Sequence, residues 1–430
     1  MQSWMQGECP AKTSAFVKEL VRQQSGTETG SDAMRILLLT ESIPYPLDSG
    51  GRIKTYHTLR MLGAHHEVYL HAFIRDERQR VHEAALRAVC SGVTLHMLPR
   101  SVVREAGYAC SAVVSGEPYT VRRHFDAAVL ASLKGDFERL RCDALYCDHL
   151  SMVEYGRRLG VPTIIDAHNV EYQILRRYGS RLGRLSPVRL AVEREWRAVR
   201  AYEGRVYGAA RLVFAVSDED ASAIRQMAPD VRLAVAGIAV DTDAVRPVTT
   251  PPAGREVLFV GGLHWPPNVE AVAFFLDDVW PRVLAACPDA RFTVVGRRDN
   301  PLARLRESLP GVTFAGYVDD LERFYERRPL VVAPILSGSG LRVKILDAMA
   351  HGLPVVSTTV GCEGIGAHHG QHLLTADAPA RFADAVVSLL KDGELASRLG
   401  ASGRTLVEQH FSLHAVGLQM REAIERFVRQ

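Results

Sequence analysis

The sequence predicts an α/β protein made of two Rossmann-like domains that face each other across a cleft. Three observations carry this reading. Apolar, β-branched runs of strand length recur along the chain, and a stretch of helical length follows each one. A segment rich in proline, threonine and glycine divides the series in two. Finally, 430 residues are enough for two or three domains at roughly 150 residues each.

In chain order, residues 1–33 show no strand pattern and read as a disordered extension. The first domain, 34–240, opens on RILLLT (Arg35–Thr40). It continues through EVYLHAF (Glu67–Phe73), DALYCD (Asp143–Asp148), PTIIDAH (Pro162–His168) and RLVFAVS (Arg211–Ser217). Residues 241–255 form the linker. The second domain, 256–411, holds EVLFVGG (Glu256–Gly262), RFTVVGR (Arg291–Arg297), VTFAGY (Val312–Tyr317), LVVAPIL (Leu330–Leu336) and PVVST (Pro354–Thr358). Residues 412–430 read as a C-terminal helix crossing back to the first domain.

Composition narrows the function. With 47% hydrophobic and 23% charged residues and a mean hydropathy near zero, disordered, collagenous and coiled-coil chains are excluded. No apolar run reaches the ~18 residues of a membrane span, and no signal-peptide core precedes Met34, so a cytoplasmic location is expected. Seven scattered cysteines without a C-x-x-C pair point to reduced thiols. A net charge of +3 is too mild to indicate nucleic acid as a partner. The charge is uneven, however: Arg176–Arg211 holds ten arginines against Glu193, Glu195 and Glu203. On a helix, Val192, Trp196, Val199 and Val206 share one face, with Arg194, Arg197 and Arg205 turned away from it. That pattern suits either peripheral contact with anionic lipid at the cytoplasmic face of the membrane or a solvated bridging helix.

Ligands of open α/β sheets bind beyond the carboxyl ends of the strands, so the residues after each strand are the candidates. After LVVAPIL come Ser337, Gly338, Ser339, Gly340 and Leu341, then Arg342 and Lys344 at the start of a helix. Small residues admit an anion to the backbone, the helix start adds its positive end, and two cations add full charge. Together these describe a diphosphate site without a Walker loop; the plain alternative is a βα turn with two solvated cations. Only six lysines accompany 46 arginines, and one of the six stands here. Ser49-Gly50-Gly51 and Arg52 follow the first strand and open a helix, either as a loop closing across the cleft or as a simple turn and cap. His168 and Asn169 follow PTIIDA, and Asp148 and His149 follow LYCD.

The run PILSGSGLRVKILDAMAHGLPVVSTTVGCEGI resembles the donor-site segment of the retaining glycosyltransferases of family 4, which have the GT-B fold. IIDAHNVEYQI, AVSDEDASAI, VLFVGGLHWPPNVEAVAFFLDDVWPRV and RILLLTESIPYPLDSGGRIKTYHTL resemble further segments of that family in the expected order, covering about Met34 to Phe411. The likeness is greatest to members that assemble exopolysaccharide or cell-surface glycans. It implies a nucleotide-sugar donor, a glycan or lipid-linked acceptor, no cofactor and no metal. Arg342 and Lys344 would stabilise the leaving diphosphate, with His168 near the transferred sugar. Asp347 would bind the nucleotide ribose in place of the family's glutamate. Ser339 occupies the position of a second family glutamate that reads sugar hydroxyls, so either its hydroxyl or Glu363 must do that work. Gly261 and Gly262 would let the donor approach the backbone. Gly316, Tyr317 and Val318 would lie along the base, with Tyr317 either stacking or packing. His264 and Trp265 depart from the family's basic pair. A nucleotide-sugar epimerase and a non-catalytic nucleotide-sugar-binding assembly partner remain as rival readings.

Overall fold

The computed structural model describes residues 33–98, 101–183, 186–247, 254–297, 308–318, 320–338 and 340–428. The expected extension up to residue 32, the middle of the expected linker (248–253), Arg184 and Ser339 lie outside the described residues.

One sheet contains β1 (Arg35–Thr40), β2 (Glu67–Ile74), β3 (Gly92–Met97), β4 (Ala144–Asp148), β5 (Thr163–Ala167), β6 (Leu212–Ala215) and β7 (Leu233–Val235). Its order is β3-β2-β1-β4-β5-β6-β7. A second contains β8 (Glu256–Val260), β9 (Arg291–Val295), β10 (Val312–Gly316), β11 (Leu330–Ala333), β12 (Val355–Ser357) and β13 (Leu374–Thr375), in the order β10-β9-β8-β11-β12-β13. The registered pairs are parallel. In each sheet the order turns back beside the first strand, between β1 and β4 and between β8 and β11. Such switch points open a crevice at the carboxyl edge, where ligands bind.

All ten strands expected from the sequence form, with ends displaced by at most three residues. Central strands such as β1, β4 and β11 are buried along nearly their whole length, because helices cover both faces. The strands that no apolar run announces are β3, β7 and β13. All three are edge strands, and β3 and β7 are only half-buried.

Among the covering helices are α1 (Gly50–Gly63), α2 (Glu171–Arg181), α3 (Pro187–Ala209), α4 (Asp218–Met227), α5 (Pro266–Phe274), α6 (Val343–Ala350) and α7 (Leu413–Phe427). By packing, the chain divides into one unit of Met1–Ser115 with Tyr119–Asp166 and another of Gly116–Pro118 with Ala167–Gln430. The change from one sheet to the next comes between β7 and β8, around the proline-rich segment. Among the described residues no helix is long and apolar enough to cross a membrane.

In the first unit, α1 is pinned by charge. The buried Lys54 pairs with Asp166 at the end of β5, and Asp166 also accepts the Tyr146 hydroxyl (2.8 Å). Asp148, fully buried, accepts the hydroxyls of Thr40 (2.7 Å) and Thr55 (2.8 Å). Buried charge survives only when paired in this way.

In the second unit, α2 begins at Val170, whose side chain offers no cap. The orphan N–H groups of Glu171 and Tyr172 donate instead to Glu203 on α3, at 2.8 and 3.3 Å. The Tyr207 hydroxyl donates to the same carboxyl at 3.3 Å. Burial, helped by the nearby Glu171 charge, pushes the Glu203 carboxyl up to about 8. On α3, Val199 and Val206 are buried, Val192 and Trp196 half-buried, and Arg194, Arg197 and Arg205 exposed, as the helical spacing predicts. The start of α7 is tied to the strand-like Val240, which donates to Phe411 (2.7 Å) and accepts from Leu413 (3.1 Å), and α7 packs on β6 and β7.

Glu203 makes stability depend on pH. Its folded value, about 8, lies above the ordinary 4.5, so its contribution is complete below about 4.5 and is lost as pH rises through about 8. Glu203→Gln keeps the shape without the charge. Its melting temperature should gain on the parent by several degrees between pH 5 and 8.5, as read by calorimetry.

Candidate functional site

At the carboxyl edge of the second sheet, the β8 and β11 loops meet at the switch point. After β11 the chain passes Gly338 (φ 113°) and Gly340 (φ 77°) and enters α6 with Arg342 at its N-cap. The left-handed turns suit glycine, and the extended Arg342 lets the first-turn amides of α6 point toward the same loop. Lys344, in that first turn, donates to Asn268 Oδ1 at 2.8 Å, and its Nζ stands 4.0 Å from the centre of the Phe259 ring. Asn268 is itself oriented by donating to the Gly262 carbonyl at 2.9 Å. A Cβ at Gly261 would lie 2.8 Å from both Lys344 Nζ and Asn268 Nδ2, so only glycine leaves this contact intact.

The electrostatics are strained in the free protein. Burial first, and the Arg342 charge second, push the Lys344 ammonium down to about 7. Burial also lowers the Arg342 guanidinium from its ordinary value, against the pull of Glu363 and Asp220. Arg342 Nη1 donates to the Gly340 carbonyl. Two cations held together and desolvated make a receptor for a compact dianion.

Around this pair the structure gathers several expected residues. The Ser337 hydroxyl donates to Glu270 Oε2 on α5 at 2.6 Å. Leu341 is buried against Gly364 and Gly237. His168, also buried, and Asn169 abut the loop: a Cβ at Gly340 would fall 2.4 Å from Asn169 Oδ1 and 3.3 Å from the His168 carbonyl. Glu363, with its side chain 39% exposed, lies 3.6 Å from Arg177. Asp347, one turn into α6, accepts the Tyr325 hydroxyl at 2.9 Å, and burial raises its carboxyl from the ordinary value. Gly316 (φ 78°) ends β10, Tyr317 beside it is 50% exposed with Arg297 5.9 Å from its ring, and Val318 is half-buried. Trp265 caps α5 and is exposed, and His264 turns back on Gly262.

Gly50, Gly51 and Arg52 belong to the other unit and are described there. Arg52 donates to Asp48 at 2.8 Å, which holds the turn into α1. His149 (φ 82°), with Nδ1 3.1 Å from Asp148, reaches to 3.9 Å from where a Gly51 Cβ would be.

Some side chains that border the cation loop carry no mark in the sequence. Arg177, which the sequence shows only as one of the ten arginines of the Arg176–Arg211 stretch, donates to the Gly338 carbonyl of the cation loop and faces Glu363. Arg176, Arg200 and Arg205 lie against the rings of Trp196, Tyr172 and Tyr202. Asn268 and Glu270 sit in an unremarkable PNVE run, where no spacing marked them. Asp220, in the first turn of α4, carried only the signal of a helix-start acid.

Reductive ¹³C-methylation of the six lysines offers a direct check on the site. One dimethyl-lysine signal should titrate near pH 7, and Lys344→Met should remove that signal alone.

Residues 254–392, which hold β8 to β13 and the cation loop, match the family described as glycosyl transferases group 1. An uncharacterized 44.6 kDa protein in the cps region of Klebsiella pneumoniae is 30% identical over 144 residues, 32% of this chain and 37% of that protein. The phosphatidyl-myo-inositol mannosyltransferase of Mycobacterium leprae is 31% identical over 184 residues, 40% of this chain and 48% of that protein. The chain thus spans less than half the length of either relative. Among solved structures, Anabaena HepE in complex with UDP and glucose superposes with a TM-score of 0.62 at 14% identity, covering 91% of this chain and all of that one. TarM of S. aureus superposes with a TM-score of 0.65 at 9% identity, covering 91% and 99%. At these identities the likeness is one of fold: two parallel α/β sheets of the GT-B type.

Proposed function

With residues 254–392 belonging to the group 1 glycosyltransferases, we propose that the chain transfers a sugar from a nucleotide-sugar donor to a glycan or lipid-linked acceptor with retention at the anomeric carbon. The observation that carries this is the placement of Arg342 and Lys344, both half-buried, on the glycine loop and first turn of α6 at the switch point of the second sheet, with Lys344 held by Asn268. Two adjacent, half-buried cations repel one another in the free protein, and a leaving diphosphate would neutralise both.

In this reading residues 34–240 form the acceptor side and 256–411 the donor side. As the bond from the anomeric carbon to the diphosphate oxygen breaks, negative charge grows on the diphosphate. Arg342, Lys344 and the first-turn amides of α6 meet it. The acceptor hydroxyl attacks from the same face, and its proton passes to the leaving phosphate oxygen. Gly261 and Gly262 border the donor, Asp347 holds the ribose, and Gly316, Tyr317 and Val318 flank the base. His168, fixed against Gly340, lies next to the transferred sugar. Arg342 and Lys344 supply the countercharge that the diphosphate requires. The cps-region relative favours a surface polysaccharide as the product class. A cytoplasmic location fits the donor, and the exposed Arg194 and Arg197 on α3 suit an anionic membrane surface that carries a lipid-linked acceptor.

Two sets of variants test the assignment. If Arg342 and Lys344 act on developing charge, alanine at either should lower kcat more than it weakens nucleotide binding. Losing one such contact costs ~2.7–4 kcal/mol, about a hundred- to thousandfold in rate. Asp347→Asn should chiefly raise the donor KM, because ribose contacts are the same in ground and transition states. Turnover of both alanine variants at the parental kcat would refute the phosphate role. Sugar turnover on the nucleotide without any acceptor would replace the transferase by an epimerase.

A further inference from the structure

α4 opens with three acids, Asp218, Glu219 and Asp220, behind the N-cap Ser217, whose hydroxyl accepts the Asp220 N–H at 3.2 Å. The first two acids are exposed, as helix-start acids usually are. Asp220 is 7% exposed, and among the described residues its Oδ2 meets no hydrogen-bond donor. A buried carboxylate oxygen without a donor is costly, and native folds keep few of them. Its surroundings are those of the cation loop. Burial and the charges of Glu363 and Glu219 push its carboxyl up to about 6, against Arg177. Asp220 and Glu363 are also the two acids that favour the Arg342 charge. The backbone closes the group: Gly364 (φ 82°) lies so near α4 that a Cβ there would stand 2.9 Å from Ser217 Cβ.

We propose that Asp220 and Glu363 form a carboxylate pair that accepts hydrogen bonds from hydroxyls of the transferred sugar, with Arg177 holding Glu363 in place. This rests on the transferase reading above. The charges decide the ligand chemistry. A diphosphate occupies Arg342 and Lys344, and Arg177 faces Glu363 at 3.6 Å. Asp220 Oδ2 is left without a donor, and a neutral sugar hydroxyl supplies one without bringing further charge. Each carboxylate can accept two hydroxyls. The pair thus covers the work of the glutamate whose position Ser339 takes.

The test compares UDP, GDP and ADP with UDP-glucose, GDP-mannose and ADP-glucose by calorimetric titration of the parent, Asp220→Asn and Glu363→Gln. For whichever donor the parent binds, Asp220→Asn should bind the free nucleoside diphosphate as the parent does. Its affinity for the nucleotide sugar should fall by about tenfold or more, the scale of a lost charge-assisted hydrogen bond. In the parent, the affinity gained from the sugar should also weaken as pH drops through about 6, a trend absent in Asp220→Asn. Glu219 on its own helix, Glu363, Arg177 and Arg342 around it, and Tyr207 on α3 all remain in that variant. Glu363→Gln, at a half-exposed position, should show the same selective loss, and it decides the matter if Asp220→Asn melts early. An unchanged sugar gain in either folded variant, or equal loss of nucleoside diphosphate and nucleotide sugar, overturns the carboxylate pair and leaves the transferase reading standing. A parent that binds none of the six ligands overturns both.

Discussion

The ammonium of Lys344 is the constraint around which the second sheet's active edge is arranged. Desolvation alone favours its neutral form, and Arg342 beside it adds like-charge repulsion. What remains in its favour is one amide oxygen, that of Asn268, and the face of Phe259. Each of these in turn fixes something else. Asn268 turns its oxygen to Lys344 and its amide to the Gly262 carbonyl, which ties α5 to the loop after β8. A side chain at position 261 would displace the ammonium, since its Cβ would lie 2.8 Å from Lys344 Nζ. An anion binding here offsets the desolvation that the free protein tolerates, which turns a local liability into affinity.

A second chain of dependence runs from stability to the same loop. Glu203 satisfies the first amides of α2 from a neighbouring helix, so the position of α2 is set by α3 and not by its own cap. α2 carries Arg177 to the Gly338 carbonyl and to Glu363. The buried Glu203 carboxyl, which touches no residue of the cation loop in the hydrogen bonds described, is therefore linked to that loop through α2. Buried polar groups of this kind fix geometry more than they add stability.

Much of this was legible in the sequence, for identifiable reasons. Strands buried on both faces must be apolar throughout, so β1, β4 and β11 announce themselves as unbroken hydrophobic runs. Edge strands such as β3 and β7 have one flank open, can use mixed residues, and left no such run. The cation loop was readable because glycine, arginine and lysine stand within eight residues of one another, just beyond a strand. Arg177, Asn268 and Asp220 were not, because each enters from a separate element and has no local pattern. One arginine of ten looks like surface charge until α2 is seen to aim it at the Gly338 carbonyl. Asp220 differs from Asp218 only in the direction that a helix turn gives it.

The contact at Gly340 has one more consequence. A side chain at this position would first meet the Asn169 amide oxygen, at 2.4 Å from a Cβ, and then the His168 carbonyl, at 3.3 Å. The absent side chain is thus what lets the loop's backbone lie directly against the turn, so that the polar groups of Asn169 and His168 border the cation loop with no carbon layer between them.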